Sequence, residues 1–143
     1  MSEADDFFEN LPLWRTSHEM ALSVYAILEA EPFLSRPGLR HEIEMRTLQV
    51  TGQIAESTAH GGYDDMLRHL HAARGGGHAL VSLLKMVAHL PGASEMDDAL
   101  QTATGHAQAC SGELKEWIGR LQQEQARQMA PQSSNVSIPP PSR

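Results

Sequence analysis

The chain has 143 residues, of which 41% are hydrophobic and 20% charged, with a net charge of −7. That is the length of one ordinary domain, enough to bury a core without metal or disulfide staples. The acidic balance argues against general nucleic-acid binding, which uses Lys and Arg to displace counterions from phosphates. Cys110 is the single cysteine, so no internal disulfide forms. The stretch MSEADDFFEN is acidic and lacks the apolar core of a signal peptide. No run approaches the roughly 18 apolar residues of a membrane span. The expectation is a cytoplasmic protein that does not contact membranes.

Sustained strand-like alternation is missing, and what recurs is helical spacing. Residues 1–10 read as an acidic lead-in. A first helix is expected from Pro12, a residue suited to a first turn, to Glu31. Trp14, Ser17, Ala21, Val24 and Leu28 alternate steps of three and four along it, widened by Met20 and Ile27. A second helix is expected over 37–58, on Ile43, Thr47, Val50 and Ile54, with Leu39 a turn earlier. A third is expected over 64–90, on Met66, Leu70, Ala73, Gly77, Leu80, Leu84 and Val87. Asp64 and Asp65 favour its start, and Pro91-Gly92 ends it. A fourth is expected over 95–127, with Ser94 as N-cap and Asp97 three residues on. Met96, Leu100, Ala103, Ala107, Cys110, Leu114, Trp117 and Leu121 keep a strict heptad seam there.

Four amphipathic helices with short links pack most simply as an antiparallel up-down-up-down four-helix bundle over 11–127. Each helix alone is marginal in water, so burial of the seams must hold the fold. The tail, 128–143, is polar and Pro/Ser-rich and is expected to be disordered. One local conflict lies in the third helix. Gly75-Gly76-Gly77 costs about 1 kcal/mol per glycine relative to Ala. Either the helix breaks there or small residues let a neighbour approach, and the small run from Ala103 to Gly112 favours close approach in a continuous helix.

Phe8, Leu11, Trp14, Ala21, Tyr25 and Pro32, followed by Gln53-Ile54-Ala55-Glu56-Ser57 and Ala73-Arg74-Gly75-Gly76, resemble the bacterial four-helix-bundle family first noticed as reading frames inside 23S ribosomal RNA intervening sequences. The departures are Thr51, Gln53, Ser57 and Leu80, where that family writes Pro, Asn, Gly and Glu, and Glu44-Met45 in place of its paired arginines. The resemblance implies an all-α bundle and assembly of relatives into rings of five, so the partner expected first is a second copy of this chain. The same family includes the accessory protein of diversity-generating retroelements, a basic RNA-associated member. The acidic balance here and the missing arginine pair set that role aside.

A search for chemistry gives little. A di-metal bundle site uses Glu-x-x-His pairs on facing helices, and none of the eight His has a Glu three residues before it. Glu56 and His60 are four apart, and His71 and His78 share a stripe with Lys85. These read as flank or interface residues. Cys110 reads as a small buried hydrophobe. Nucleophile elbows, phosphate loops and dinucleotide fingerprints are missing, so no catalytic residue, cofactor or metal is assigned. Arg36, Arg40 and Arg46 are candidate contacts for RNA or an acidic partner. Trp14, Tyr25, Glu56, Gly75, Gly76 and Trp117 are candidate structural or interface residues. The favoured expectation is a non-enzymatic, self-associating interaction or scaffold module. An RNA-associated accessory factor is the alternative, and a metal-binding bundle the second alternative.

Overall fold

The computed structural model describes residues 12–59 and 61–129. Four α-helices follow one another: α1 (Pro12–Ile27), α2 (Pro37–Ala59), α3 (Tyr63–Val87) and α4 (Asp97–Met129). A 3-10 turn, Ala93–Met96, leads into α4. Among the described residues there is no strand. Each helix packs on its chain neighbour, and α1 closes against α4. The lead-in 1–10, most of the tail 128–143, and His60 lie outside the described residues. No described helix is long and apolar enough to cross a membrane.

The helices exist because their apolar stripes are buried together. Met20, Val24, Ile43, Val50, Ile54, Leu70, Ala73, Leu80, Leu84, Leu100, Ala107, Cys110 and Leu114 form one continuous core. Among the described residues three polar side chains share it, and each returns its hydroxyl to its own helix. Ser17 Oγ donates to the Trp14 carbonyl (2.9 Å), Thr47 Oγ1 to the Ile43 carbonyl (2.8 Å) and Ser57 Oγ to the Ile54 carbonyl (2.6 Å). Such back-bonding satisfies a buried hydroxyl without a partner helix.

The structure corrects the expected boundaries and seams in several places. α1 ends at Ile27, and turns carry the chain through Leu28, Pro32 and Phe33. Leu28 and Phe33 are buried within this link, so the connection contributes to the core. The Glu31–Pro32 peptide bond is cis. In α1 the core position belongs to Leu13, while Trp14 lies half-buried beside it, stacked on His18 with ring centroids 5.0 Å apart. In α3, Leu67 is buried where Met66 was expected. α3 stops at Val87, short of Leu90. Gly92, at φ 89°, makes the left-handed turn that follows and that glycine adopts without strain. Ser94 sits inside the 3-10 turn, so it is not the cap of α4.

In α4 the heptad holds through Leu114 and then yields. Ile118 is buried, and Trp117 is only partly so. A straight helix drifts about 20° per heptad against a strict repeat of seven. The deepest position passes to Ile118, while Trp117 and Leu121 still pack, partly buried, against the core. The Gly75-Gly76-Gly77 conflict resolves as a continuous helix. A Cβ at Gly77 would lie 2.9 Å from Ser111 Oγ of α4, and one at Gly76 would lie 2.9 Å from the Gln49 side chain of α2. Gly75 faces open space. Two of the three glycines therefore make room for neighbours on different sides.

Candidate functional site

The three arginines singled out in the sequence each have hydrogen-bond or ion-pair partners within the chain. Arg36 Nη1 donates to the Pro32 carbonyl and to Ser35 Oγ, both at 3.3 Å. Arg40 pairs with Glu29 at 3.0 Å and with Glu44 at 3.2 Å. Arg46 pairs with Glu42 at 2.9 Å and donates to Gln49 Oε1 at 3.1 Å. Gln49 Nε2 in turn donates to the Ala72 carbonyl of α3 at 3.1 Å. Gly76 leaves the space that Gln49 occupies. Arg46 thus anchors a polar chain along the α2–α3 contact, and Arg40 joins the link after α1 to the start of α2.

The apolar residues of α1 and α2 present a different surface. Among the described residues, the exposed large apolar side chains are Leu22, Tyr25, Leu34, Met45, Leu48, Met86 and Met129. All but the last two fall between α1 and the middle of α2. Leu22 is 58% exposed, Met45 48% and Leu48 52%. Tyr25 sits near Glu44, and its hydroxyl is pushed above the usual phenol range, first by burial and then by that carboxylate. Tyr25 therefore stands beside Glu44 of α2, and Met45 and Leu48 line a hollow on α2 with Glu42, Arg46, Gln49 and Gln53. Scattered exposed leucines are ordinary, but several large apolar groups on one face mark a contact surface. Glu56 is exposed on the same helix.

The groups able to do chemistry are dispersed. Among the described residues no three His, Cys, Asp or Glu come together in an arrangement able to hold a metal ion. His69 Nδ1 bonds to Gln53 Oε1 at 2.6 Å, joining α3 to α2. His71 and His78 are exposed on α3, and the Glu56–His60 pair lies outside the described residues in its His60 half. Cys110 is buried on the α4 seam, and its thiol is pushed up to about 12 by burial and, secondarily, by the Glu113 carboxylate. A thiol in that state is inert at neutral pH.

Trp117 packs partly buried against the core and is also one wall of a cleft between the start of α1 and the middle of α4. Pro12, Leu13, Glu113, Glu116 and Arg120 complete the lining. Glu113 touches α1 through Thr16, whose Oγ1 lies 3.0 Å from Glu113 Oε1. Sequence reasoning missed Glu113 and the α1–α2 face for different reasons. Met45 and Leu48 are visible as apolar residues off the α2 stripe, which is a signal that could have been read. Glu113 carries no such mark, because its position depends on how α1 closes on α4. In comparisons with known proteins, no family model and no curated protein matches this chain.

Proposed function

We propose that this chain is a non-enzymatic, self-associating up-down-up-down four-helix bundle that serves as an interaction or scaffold module. The antiparallel order is supported by cross-helix pairs that run in opposite directions. Arg40 meets Glu29 and Glu44 lies near Tyr25 across α1–α2. Gln49 meets Ala72 and Gln53 meets His69 across α2–α3. Gly77 faces Ser111 and Asp64 meets Gln125 across α3–α4. Thr16 meets Glu113 near one end of α1–α4, and Glu31 lies by Gly92 near the other.

The observation that carries the self-association reading is the exposure of four large apolar side chains, Leu22, Tyr25, Met45 and Leu48, on α1 and α2. A ring of five copies, in the cytoplasm, is the arrangement that the family resemblance favours. Binding RNA through Arg36, Arg40 and Arg46 has less support, because Arg40 and Arg46 are already held by glutamates. Native mass spectrometry at micromolar concentration tests the proposal. A defined oligomer that falls to monomers in Leu22→Glu/Leu48→Glu supports it, and a wild-type monomer rejects it. Filter binding at low salt decides the RNA alternative. Retention that weakens with added salt would favour it over self-association alone.

A further inference from the structure

α2 carries two stripes. Its buried residues, Ile43, Thr47, Val50, Ile54 and Ser57, step by four and three along the core side. His41, Met45, Leu48, Gly52 and Ala55 each stand two residues earlier, and Ala59 continues their stepping. Two residues turn an α-helix by about 200°, so the second stripe faces away from the core. His41, Met45, Leu48, Gly52 and Ala59 are exposed on it, and Ala55 is partly exposed. Met45 and Leu48 open onto a hollow flanked by Glu42, Arg46, Gln49 and Gln53.

This outer stripe is graded in size. Its first half is large, at His41, Met45 and Leu48, and its second half is small, at Gly52, Ala55 and Ala59. A Cβ at Gly52 would meet nothing within 4 Å, so the bundle itself leaves that place unfilled. A stripe that repeats every 3.5 residues or so is the seam along which helices pair. A graded one fits a copy of itself when the copy runs the other way. Reversed about Val50, Leu48 lies opposite Gly52 of the other copy, Met45 opposite Ala55 and His41 opposite Ala59. Run in parallel, Leu48 would meet Leu48 and Gly52 would face a gap. Charge follows size. Glu42 holds Arg46 at 2.9 Å beside the hollow. The reversed copy brings its Glu56 to the level between them on the same flank. Arg46 then stands between two carboxylates, a charge match across the contact.

We infer that the outer stripe of α2 packs antiparallel on α2 of a second copy, about a two-fold axis near Val50, with Leu48 of each copy seated against Gly52 of the other. The pairing rests on the self-association reading and makes it specific. A two-fold contact closes on itself. It therefore yields an even number of copies, and a ring of five would need a different contact.

The test is native mass spectrometry for copy number and sedimentation for affinity, on the full chain and two variants. Gly52→Leu places its side chain in open space on the single bundle, so helicity by circular dichroism should hold. It should weaken association about tenfold or more, because two leucines then compete for one space. Leu48→Ala/Gly52→Leu exchanges the large and the small position, and association should return to within about threefold of wild type. An even number of copies with this loss and recovery supports the pairing. An odd number of copies, association unchanged by Gly52→Leu, or no recovery in the exchanged variant overturns it and leaves self-association standing. A monomeric wild type overturns both.

Discussion

The inner seam of α3 and α4 and the outer face of α1 and α2 are built from similar residues used in opposite ways. On the seam, Leu80, Leu84 and Leu114 are wholly buried, and Gly77 lets α4 come close enough for Ser111 to fill the space. On the outer face, Leu22, Met45 and Leu48 keep about half of their surface exposed. Apolar area removed from water stabilises a fold by roughly 25 cal/mol per Å², so the seam contributes to the bundle itself. The outer face contributes only when something covers it. The same hydrophobic chemistry holds the monomer together in one region and, by our proposal, joins monomers in the other.

Substitutions can break this contrast. Leu80→Ala should cost about 2–5 kcal/mol, because it opens a cavity in a core that relaxes only in part; urea denaturation measures it. A loss below about 1 kcal/mol would mean the seam is not packed as described.

Alkaline pH probes the same seam. The Cys110 thiol stays protonated in the folded bundle up to about 12, against an ordinary value of 9.0. Above pH 9.0 the unfolded chain ionises while the folded one does not. Stability from this group is complete below that pH and should fall by about 1.4 kcal/mol per pH unit as pH rises toward the folded value. The comparison of wild type with Cys110→Ala isolates the slope, which the alanine variant should lack.

The glycines offer a sharper contrast within a single helix. Gly77→Leu should destabilise by about 1–3 kcal/mol through overpacking against Ser111. Gly75→Ala should stabilise by about 1 kcal/mol through helix propensity alone, since its side faces open space. Thermal melts of the two variants should move in opposite directions. Movement in the same direction would contradict the continuous α3. The smallest effect is expected on the outer face, where Leu48→Ala should change the stability of the isolated bundle by no more than about 0.5 kcal/mol.

Much of this was legible in the sequence, and the failures have physical causes. Ile43, Thr47, Val50 and Ile54 were read from spacing alone, and all four are buried in α2. The seam of α4 was read correctly as far as Leu114. Beyond it the deepest position is Ile118, while Trp117 and Leu121 pack against the core only partly buried. Phe33 escaped notice because periodicity says nothing about a link, yet the link folds it wholly into the core. The Arg40–Glu44 pair follows from i,i+4 spacing on one helix, whereas only the fold brings Glu29 beside Arg40. The cleft at Trp117 needed the closure of α1 on α4 and was not legible at all.

The account rests on the outer face of α1 and α2 being covered by another copy of the chain. Native mass spectrometry of the wild type and of Leu22→Glu/Leu48→Glu, with helicity checked by circular dichroism, tests this most directly. The account predicts a defined oligomer for the wild type, monomers for the double variant, and the same helical content in both. A monomeric wild type, or an oligomer unchanged by the two charges, would contradict it.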